Sequence, residues 1–330
     1  MSSKSAFFNK QFSHVYVEKK ALDHGDTKKI LPRLPYAETI LIDHYKDIFN
    51  RNKQRYTNQR ESRSLILAVN EGELVYKGAP VCQSFGRQDF YYTATVMNCP
   101  FDCDYCFLKG MYGTANIVCF VNFEDYEKAV KKLEDPYVCV SFDTDLIALN
   151  SITGQADRWV SFAKQNPDTL IEMRTKAAPA DTAVLPNLIY AFTLSPDIIS
   201  RRFEKGAPPL KARLKAASDA VKRGSAVRIC FDPMIYVEGW ESYYGELIDQ
   251  VADAIDLSKV KDVSVGTFRI SDQYLKTIRR QEPDSEVCWF PFESHDGYAV
   301  YPEEIDRKMQ DMICDKLFGH IDTERIWKWK

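Results

Sequence analysis

Several things are scarce in this 330-residue chain, and each scarcity narrows what it can be. No apolar run approaches the ~18 residues of a membrane-crossing helix, so no span is expected. The opening MSSKSAFFNKQF has no apolar h-region, which argues against a secretory signal. Charge of one sign is not in excess: 44 Lys and Arg against 47 Asp and Glu leave a net −3. A nucleic-acid partner would therefore have to meet a local patch. No repeat or low-complexity tract is visible. Histidine numbers only five, none beside the cysteine-rich stretch, and no second C-x2-C pair accompanies that stretch. Both absences count against structural zinc. Nine cysteines without an extracellular cue point to a reducing cytoplasm.

What is present is an ordinary hydrophobic content of 45 %, enough for a full core, and one unusual stretch. Residues 98–110 read NCPFDCDYCFLKG and place Cys99, Cys103 and Cys106 in C-x3-C-x2-C spacing. Three thiolates this close can wrap one soft metal centre from a single loop. A [4Fe–4S] cluster normally takes four Cys ligands, so three imply a cluster with one open iron, where a small molecule can bind. A disulfide framework fits poorly with an odd number of thiols in a chain this long. Zinc and chance thiols stay as the competing readings.

The chain before residue 80 reads as an extension. VYVEKKAL (15–22) has strand character, Ile40, Leu41, Ile42, Tyr45 and Ile48 approximate a helical face, and 64–69 and 73–77 read as two strands joined by a turn. Residues 89–98 look like the first core strand, delivering the chain to the cysteine loop. A β–α rhythm follows: strands at 116–121, 137–142, 169–174, 187–194, 226–231, 260–268 and near 286–290. Helices lie after Asn122 (a candidate N-cap), at about 153–165, 196–204, 208–223, 240–255, 271–280 and 302–318. Such alternation implies a parallel sheet covered by helices, here an α/β partial (β/α)6 barrel. The expected division is 1–85, an extension packing on the barrel, and 86–330, the barrel with a C-terminal hairpin and helix. Active sites of such barrels gather at the strand C-terminal ends. Those ends carry Asp143-Thr144-Asp145, Arg174-Thr175-Lys176, Thr193-Leu194-Ser195, Asp232 and Thr267-Phe268-Arg269.

C-x3-C-x2-C followed by aromatic Phe107 resembles the cluster motif of the radical S-adenosylmethionine (SAM) superfamily. In that superfamily the open iron chelates the amino and carboxyl groups of SAM, and its reductive cleavage gives a 5′-deoxyadenosyl radical. More segments sharpen the likeness: VYVEK near the start, DTD with ITG at 143–154, RTK at 174–176, RRFEKGAPPLKARLKAA at 201–217, VRICFDPMI with EGW at 227–240, and GTFR at 266–269. Together they resemble the spore photoproduct lyase family, which repairs a methylene-bridged thymine dimer in DNA. The resemblance implies that fold and a [4Fe–4S] cluster on Cys99, Cys103 and Cys106. It implies SAM contacts at Thr144, Lys176 and Thr193, with Tyr105 flanking the last ligand. It also implies an electron donor such as flavodoxin or ferredoxin, a UV-damaged DNA substrate and, as an expectation, a monomer.

Two positions depart from the family pattern. The hydrogen-donating Cys of the Bacillus-type enzymes falls at Phe142, and a Tyr of the same relay falls at Phe107. Neither replacement carries a transferable hydrogen. If Phe142 and Thr144 face inward on a strand, Cys139 points away. Mid-strand Cys119 and Cys230 read as core, and nothing singles out the remote Cys288 and Cys314, which leaves Cys82, in a Gly/Pro-flanked loop, as the candidate donor beside Tyr105. Residues 197–230 hold nine Lys and Arg against three Asp and Glu, a candidate phosphate-binding patch that includes Arg201 and Arg202. Arg269, and Tyr301 in the candidate hairpin stretch ESHDGYAVYPEE, complete the DNA candidates. A lyase-like enzyme with another substrate, and a non-catalytic metal protein that binds nucleic acid, remain as alternatives.

Overall fold

The structure, a computed structural model, describes residues 12–49, 51, 54–78 and 83–329. Cys82 lies outside the described residues. The chain forms two compact units, residues 1–100 with 111–172 and residues 101–110 with 173–330. It passes from one to the other inside the cysteine stretch, after Pro100, and again after Glu172.

The first unit opens with β1 (Phe12–Glu18), β2 (Glu38–Ile42) and β3 (Arg63–Ala68). Next come β4 (Tyr76–Lys77), β5 (Phe90–Tyr92), β6 (Val96–Met97), β7 (Ile117–Phe120), β8 (Tyr137–Cys139) and β9 (Leu170–Thr175). One sheet has the order β2-β1-β3-β7-β6, parallel except at its β6 edge. All six residues of β3, RSLILA, are buried, the continuous pattern expected where a parallel strand is covered on both faces. Three expectations are corrected here. Ile40, Leu41 and Ile42 form strand β2 and not a helix, because β1 offers them a parallel partner; three apolar residues in a row satisfy either period. Strands β3 and β4 are not a hairpin; β3 pairs with β1 and β7, while β4 pairs with β5. The NIVCFV strand, β7, joins this N-terminal sheet.

The unit's other strands run β4-β5-β8-β9, with β5–β8 and β8–β9 parallel. Helix α1 (Phe123–Val130) connects β7 to β8, and α2 (Leu146–Thr153) and α3 (Gln155–Gln165) connect β8 to β9. The helix expected over about 153–165 is α3; α2, outside that expectation, precedes it and is separated from it by Gly154 at φ +69°. Asp145 caps α2 by accepting from the Ala148 N–H at 3.0 Å. Asn122 makes no cap at α1; its side chain bonds the Asn70 backbone at both N–H and C=O, each 2.9 Å.

The second unit takes Met173–Thr175 of β9, then β10 (Leu188–Thr193), β11 (Ala226–Met234) and β12 (Asp262–Thr267). Strands β10, β11 and β12 are parallel neighbours, and a last strand, Ile326–Lys328, adds parallel to β12. Helices α4 (Asp197–Phe203) and α5 (Leu210–Arg223) link β10 to β11, and α6 (Trp240–Ala254) links β11 to β12. Beyond them, β13 (Arg269–Ser271), β14 (Glu293–His295) and β15 (Tyr298–Val300) make a small antiparallel sheet in the order β13-β15-β14. The expected hairpin is β14–β15. Its two-residue loop, Asp296 at φ +50° and Gly297 at φ +83°, uses the positive φ that an Asp-Gly pair tolerates. Helices α7 (Asp272–Gln281) and α8 (Glu303–Leu317) flank that sheet in sequence. The strand expected near 286–290 is a helical turn, Glu286–Trp289.

Candidate active site

Cys99 belongs to the first unit and is set by the residue before it. Asn98 sits at φ +74°, a left-handed conformation that Asn tolerates better than most residues. Its amide donates to the Thr114 and Asn116 carbonyls at 2.7 and 2.9 Å, and its oxygen accepts from the Cys99 N–H at 3.0 Å. Arg63 supports the next turn by donating to the Pro100 carbonyl. The chain thus enters the cysteine loop along a fixed path, and nothing in the C-x3-C-x2-C spacing announced that Asn98 would fix it.

The turn after β8 carries the other candidates of this unit. Phe142 lies against the Tyr92 ring at 4.5 Å. Asp143 is buried and accepts from the Tyr112 hydroxyl at 2.7 Å. Thr144 is buried, and its hydroxyl has no hydrogen-bond partner among the described residues. Strand β8 ends at Cys139, so strand alternation does not extend to Phe142 and cannot decide where Cys139 points. Cys139 and Cys119 are fully buried, consistent with small hydrophobes.

The second unit holds Cys103 and Cys106, Lys176, Thr193 and a residue the sequence reading missed. Glu204 is completely buried. Its backbone pairs antiparallel with Cys103, and Asp104 N–H donates to Phe203 O at 2.8 Å. Its carboxylate accepts from the Tyr105 hydroxyl and from Ser195 Oγ at 2.8 Å. It also pairs with Arg213 at 2.6 Å and Lys176 at 3.3 Å. Lys176 Nζ in turn donates to Tyr105 at 3.0 Å and stands 3.8 Å from Cys103 Sγ. Burial alone would raise the Glu204 carboxyl; Lys176 and Arg213 outweigh it and hold it down to about 2. The same anion, together with Cys103 and Tyr105, raises Lys176 against its desolvation. The ammonium beside the cysteine loop stays charged. A second ionic set grips the loop from below: Lys109 bonds Asp102 at 2.7 Å and Glu282 at 2.6 Å, and Lys205 bonds Asp104 at 2.9 Å. Thr193 is half-buried, its carbonyl 3.5 Å from Arg213.

The basic segment changes meaning. Arg213 and Arg228 are buried, the first on Glu204 and the second on Asp262. Arg202 bonds Glu286 at 2.7 Å, while Arg201 is largely exposed, 3.8 Å from Asp197. Arg269 chelates Asp232 at 3.1 and 3.3 Å and stacks on Trp329. Tyr301 is only 2 % exposed. Its hydroxyl accepts from Tyr236 N–H, and its ring packs among Tyr236, Phe290 and Phe292. That is a correction: as folded, this phenol supports the hairpin and offers no surface to DNA. RRFEKGAPP reads as basic in sequence, but its central Glu204 is what it contributes structurally.

As they stand, no three His, Cys, Asp or Glu among the described residues form a metal cage. The donor set nonetheless suits a soft metal. Burial pushes the Cys103 thiol up to about 12, so it holds its proton until a cation takes the proton's place. The cationic Lys176, 3.8 Å away, would offset the charge of a Cys103 thiolate.

Comparisons with known proteins bear on the chain as a whole. Spore photoproduct lyase of Bacillus subtilis (strain 168) is 22 % identical over 284 residues, 81 % of this chain and 80 % of that protein. A solved spore photoproduct lyase double variant, with bound AdoMet and dinucleoside spore photoproduct, superposes with a TM-score of 0.81 at 17 % identity, over 97 % of this chain and 98 % of that one. A spore photoproduct lyase complexed with dinucleoside spore photoproduct gives the same values. The likeness carries the mixed α/β fold of those structures. The model of the spore photoproduct lyase family matches residues 11–287, and this chain of 330 residues therefore belongs to the spore photoproduct lyase family.

Proposed function

We propose that this protein is a radical SAM lyase that reverts spore photoproduct, 5-thyminyl-5,6-dihydrothymine, in UV-damaged DNA to two thymines. The observation that carries the reading is the Glu204 network. It ties the loop of Cys103 and Cys106 to Lys176 and Tyr105 through one buried carboxylate, in a chain whose family acts on this lesion.

Cys99, Cys103 and Cys106 would hold the [4Fe–4S] cluster, and Thr144, Lys176 and Thr193 would hold SAM. Bound there, the cluster and SAM would supply the radical chemistry that starts hydrogen abstraction at C6 of the lesion. Lys176 contributes a fixed cation for an anionic ligand group. Tyr105 is kept neutral by burial beside Glu204, so its phenol keeps a hydrogen to give. Once the methylene bridge breaks, the thymine radical needs such a hydrogen; Cys82 is the first candidate and Tyr105 the second. Arg201 and Arg202, both exposed, meet DNA phosphates. A reduced flavodoxin or ferredoxin supplies the electron to a monomer in the cytoplasm.

The test is anaerobic incubation of reconstituted protein with SAM, dithionite and dinucleoside spore photoproduct. Thymine and 5′-deoxyadenosine should appear together. SAM cleavage without thymine release would move the assignment to the second reading, a lyase-like enzyme with another substrate. Phe142 and Phe107 favour that reading, since neither ring donates hydrogen.

A further inference from the structure

The second unit carries a surface that the chemistry above leaves unused. Helix α7 and the helical turn Glu286–Trp289 lie directly on the loop of Cys103 and Cys106. A Cβ on Gly110 would come within 2.6 Å of the Tyr274 Cα, so helix and loop approach backbone to backbone. Gln281 donates to the Lys109 carbonyl at 3.3 Å, and Glu282 pairs with Lys109 at 2.6 Å. The Cys288 thiol donates to the Asp104 carbonyl, next to Cys103, at 3.5 Å. Trp289 follows Cys288 and is 54 % exposed, the only exposed tryptophan among the described residues. Arg279 holds it, with the guanidinium 5.1 Å from the ring centre and Nε donating to the Cys288 carbonyl at 2.8 Å. Around this indole the exposed charge is mostly positive. Lys276 and Arg280, one turn apart on α7, are exposed and make no ion pair among the described residues. Like charges at that spacing weaken a helix, so α7 itself gains nothing from them. Exposed Lys205, on Asp104, is a third cation. Two exposed carboxylates oppose them, Asp284 and Glu286, and Arg202 already bonds the second.

We propose that this face, Trp289 rimmed by Lys276, Arg280 and Lys205, is where an acidic one-electron carrier protein docks to reduce the centre held by the cysteine loop. This rests on the radical SAM reading above and names the surface its electron donor uses. The step moves one electron and no atoms: the carrier is oxidised by one electron and the centre is reduced by one. Flavodoxins and ferredoxins are acidic, so their charge complements the three cations and steers the encounter. Redox encounters are small and weak, and one aromatic anchor with a charged rim suits them. DNA also meets cations beside an aromatic ring. What favours the carrier is position: the indole stands one residue from a thiol that touches the loop at Asp104.

The experiment uses reconstituted protein, flavodoxin as the carrier, and dithionite as a small reductant that needs no docking surface. Lys276→Glu with Arg280→Glu should weaken binding of oxidised flavodoxin about tenfold or more at low salt, read by isothermal titration. It should slow bleaching of the centre by reduced flavodoxin by a similar factor in stopped flow, while bleaching by dithionite matches the parent. Trp289→Ala should weaken flavodoxin binding and keep the parent's dependence on salt. Reduction by flavodoxin at the parent rate in the double variant overturns the inference. So does an equal loss with both reductants, which would mean that the face only supports the loop. A double variant that loses DNA affinity and keeps flavodoxin binding also overturns it, and gives the face to DNA. If the double variant does not fold, Trp289→Ala decides by the same comparison of reductants. Failure of dithionite to reduce the parent would instead strike the radical SAM reading itself.

Discussion

A single buried carboxylate, Glu204, does more to organise the cysteine loop than any of the residues the sequence made conspicuous. Four side chains converge on it, two of them cationic. Removing one partner of a buried ion pair leaves the other unpaired, at about 3–5 kcal/mol. Arg213→Ala should lower stability by that amount, read as a shifted urea midpoint of the metal-free protein. A loss under about 1 kcal/mol would mean that Lys176 alone suffices. Asp143 makes the opposite kind of prediction. Its folded carboxyl titrates near 6, above the unfolded value of 3.8, so the folded state binds the extra proton. Stability from this group is therefore complete below about pH 4 and lost as pH rises towards 6, by about 3 kcal/mol at ~1.4 per unit. Asp143→Asn lacks that loss. Its stability relative to the parent should climb between pH 4 and 6 and then level off, and a flat difference would place the Asp143 pKa in the ordinary range. At Cys82 the outcome is chemical. Cys82→Ala should still cleave SAM and open the lesion, but adducts of the thymine radical with buffer reductants should accompany repaired thymine. Clean repair at the parent rate would pass the donor role to Tyr105.

At the scale of elements, the helices and strands from β8 onward were legible because each has one dominant period and short punctuated links. The errors fall where local pattern is ambiguous and a distant partner decides. Ile40 to Ile42 became a strand only because β1 lies parallel beside it. The segment 286–290 is apolar enough for a strand, yet it coils into a turn whose Cys288 thiol donates to Asp104 O. Charge was the least legible feature, since a sequence shows sign but not burial. Arg213 and Arg228 count towards a basic stretch and face inward on Glu204 and Asp262, whereas Arg201 and Arg202 face outward. The two pairs should behave oppositely. Arg201→Glu with Arg202→Glu should weaken DNA binding and flatten its dependence on salt, because fewer counterions are released. Arg228→Met should leave the salt slope unchanged and lower stability through the stranded Asp262. Fluorescence anisotropy against salt separates them; an unchanged slope in the double variant would move the DNA contact to another face.

At the scale of the whole molecule, the cysteine stretch is where the chain passes from one compact unit to the other, after Pro100. Cys99 is fixed by Asn98 and Arg63, while Cys103 and Cys106 are fixed by Glu204 and its partners. The three ligands proposed for one cluster are thus anchored by independent sets of contacts. Metal binding should then couple to the stability of both sets, as it does wherever ligands from separate anchors share one ion. Anaerobic reconstitution should load about four irons and four sulfides per chain. It should also raise the thermal midpoint of the parent. Any one of Cys99→Ala, Cys103→Ala or Cys106→Ala should abolish SAM cleavage and reduce that rise. Asn98→Ala tests the anchoring itself. It keeps all three thiols but frees the Cys99 turn, so iron should still load while its release to a chelator becomes several-fold faster. If Asn98→Ala releases iron at the parent rate, the thiols alone set the loop, and the left-handed turn before Cys99 is incidental to the centre it precedes.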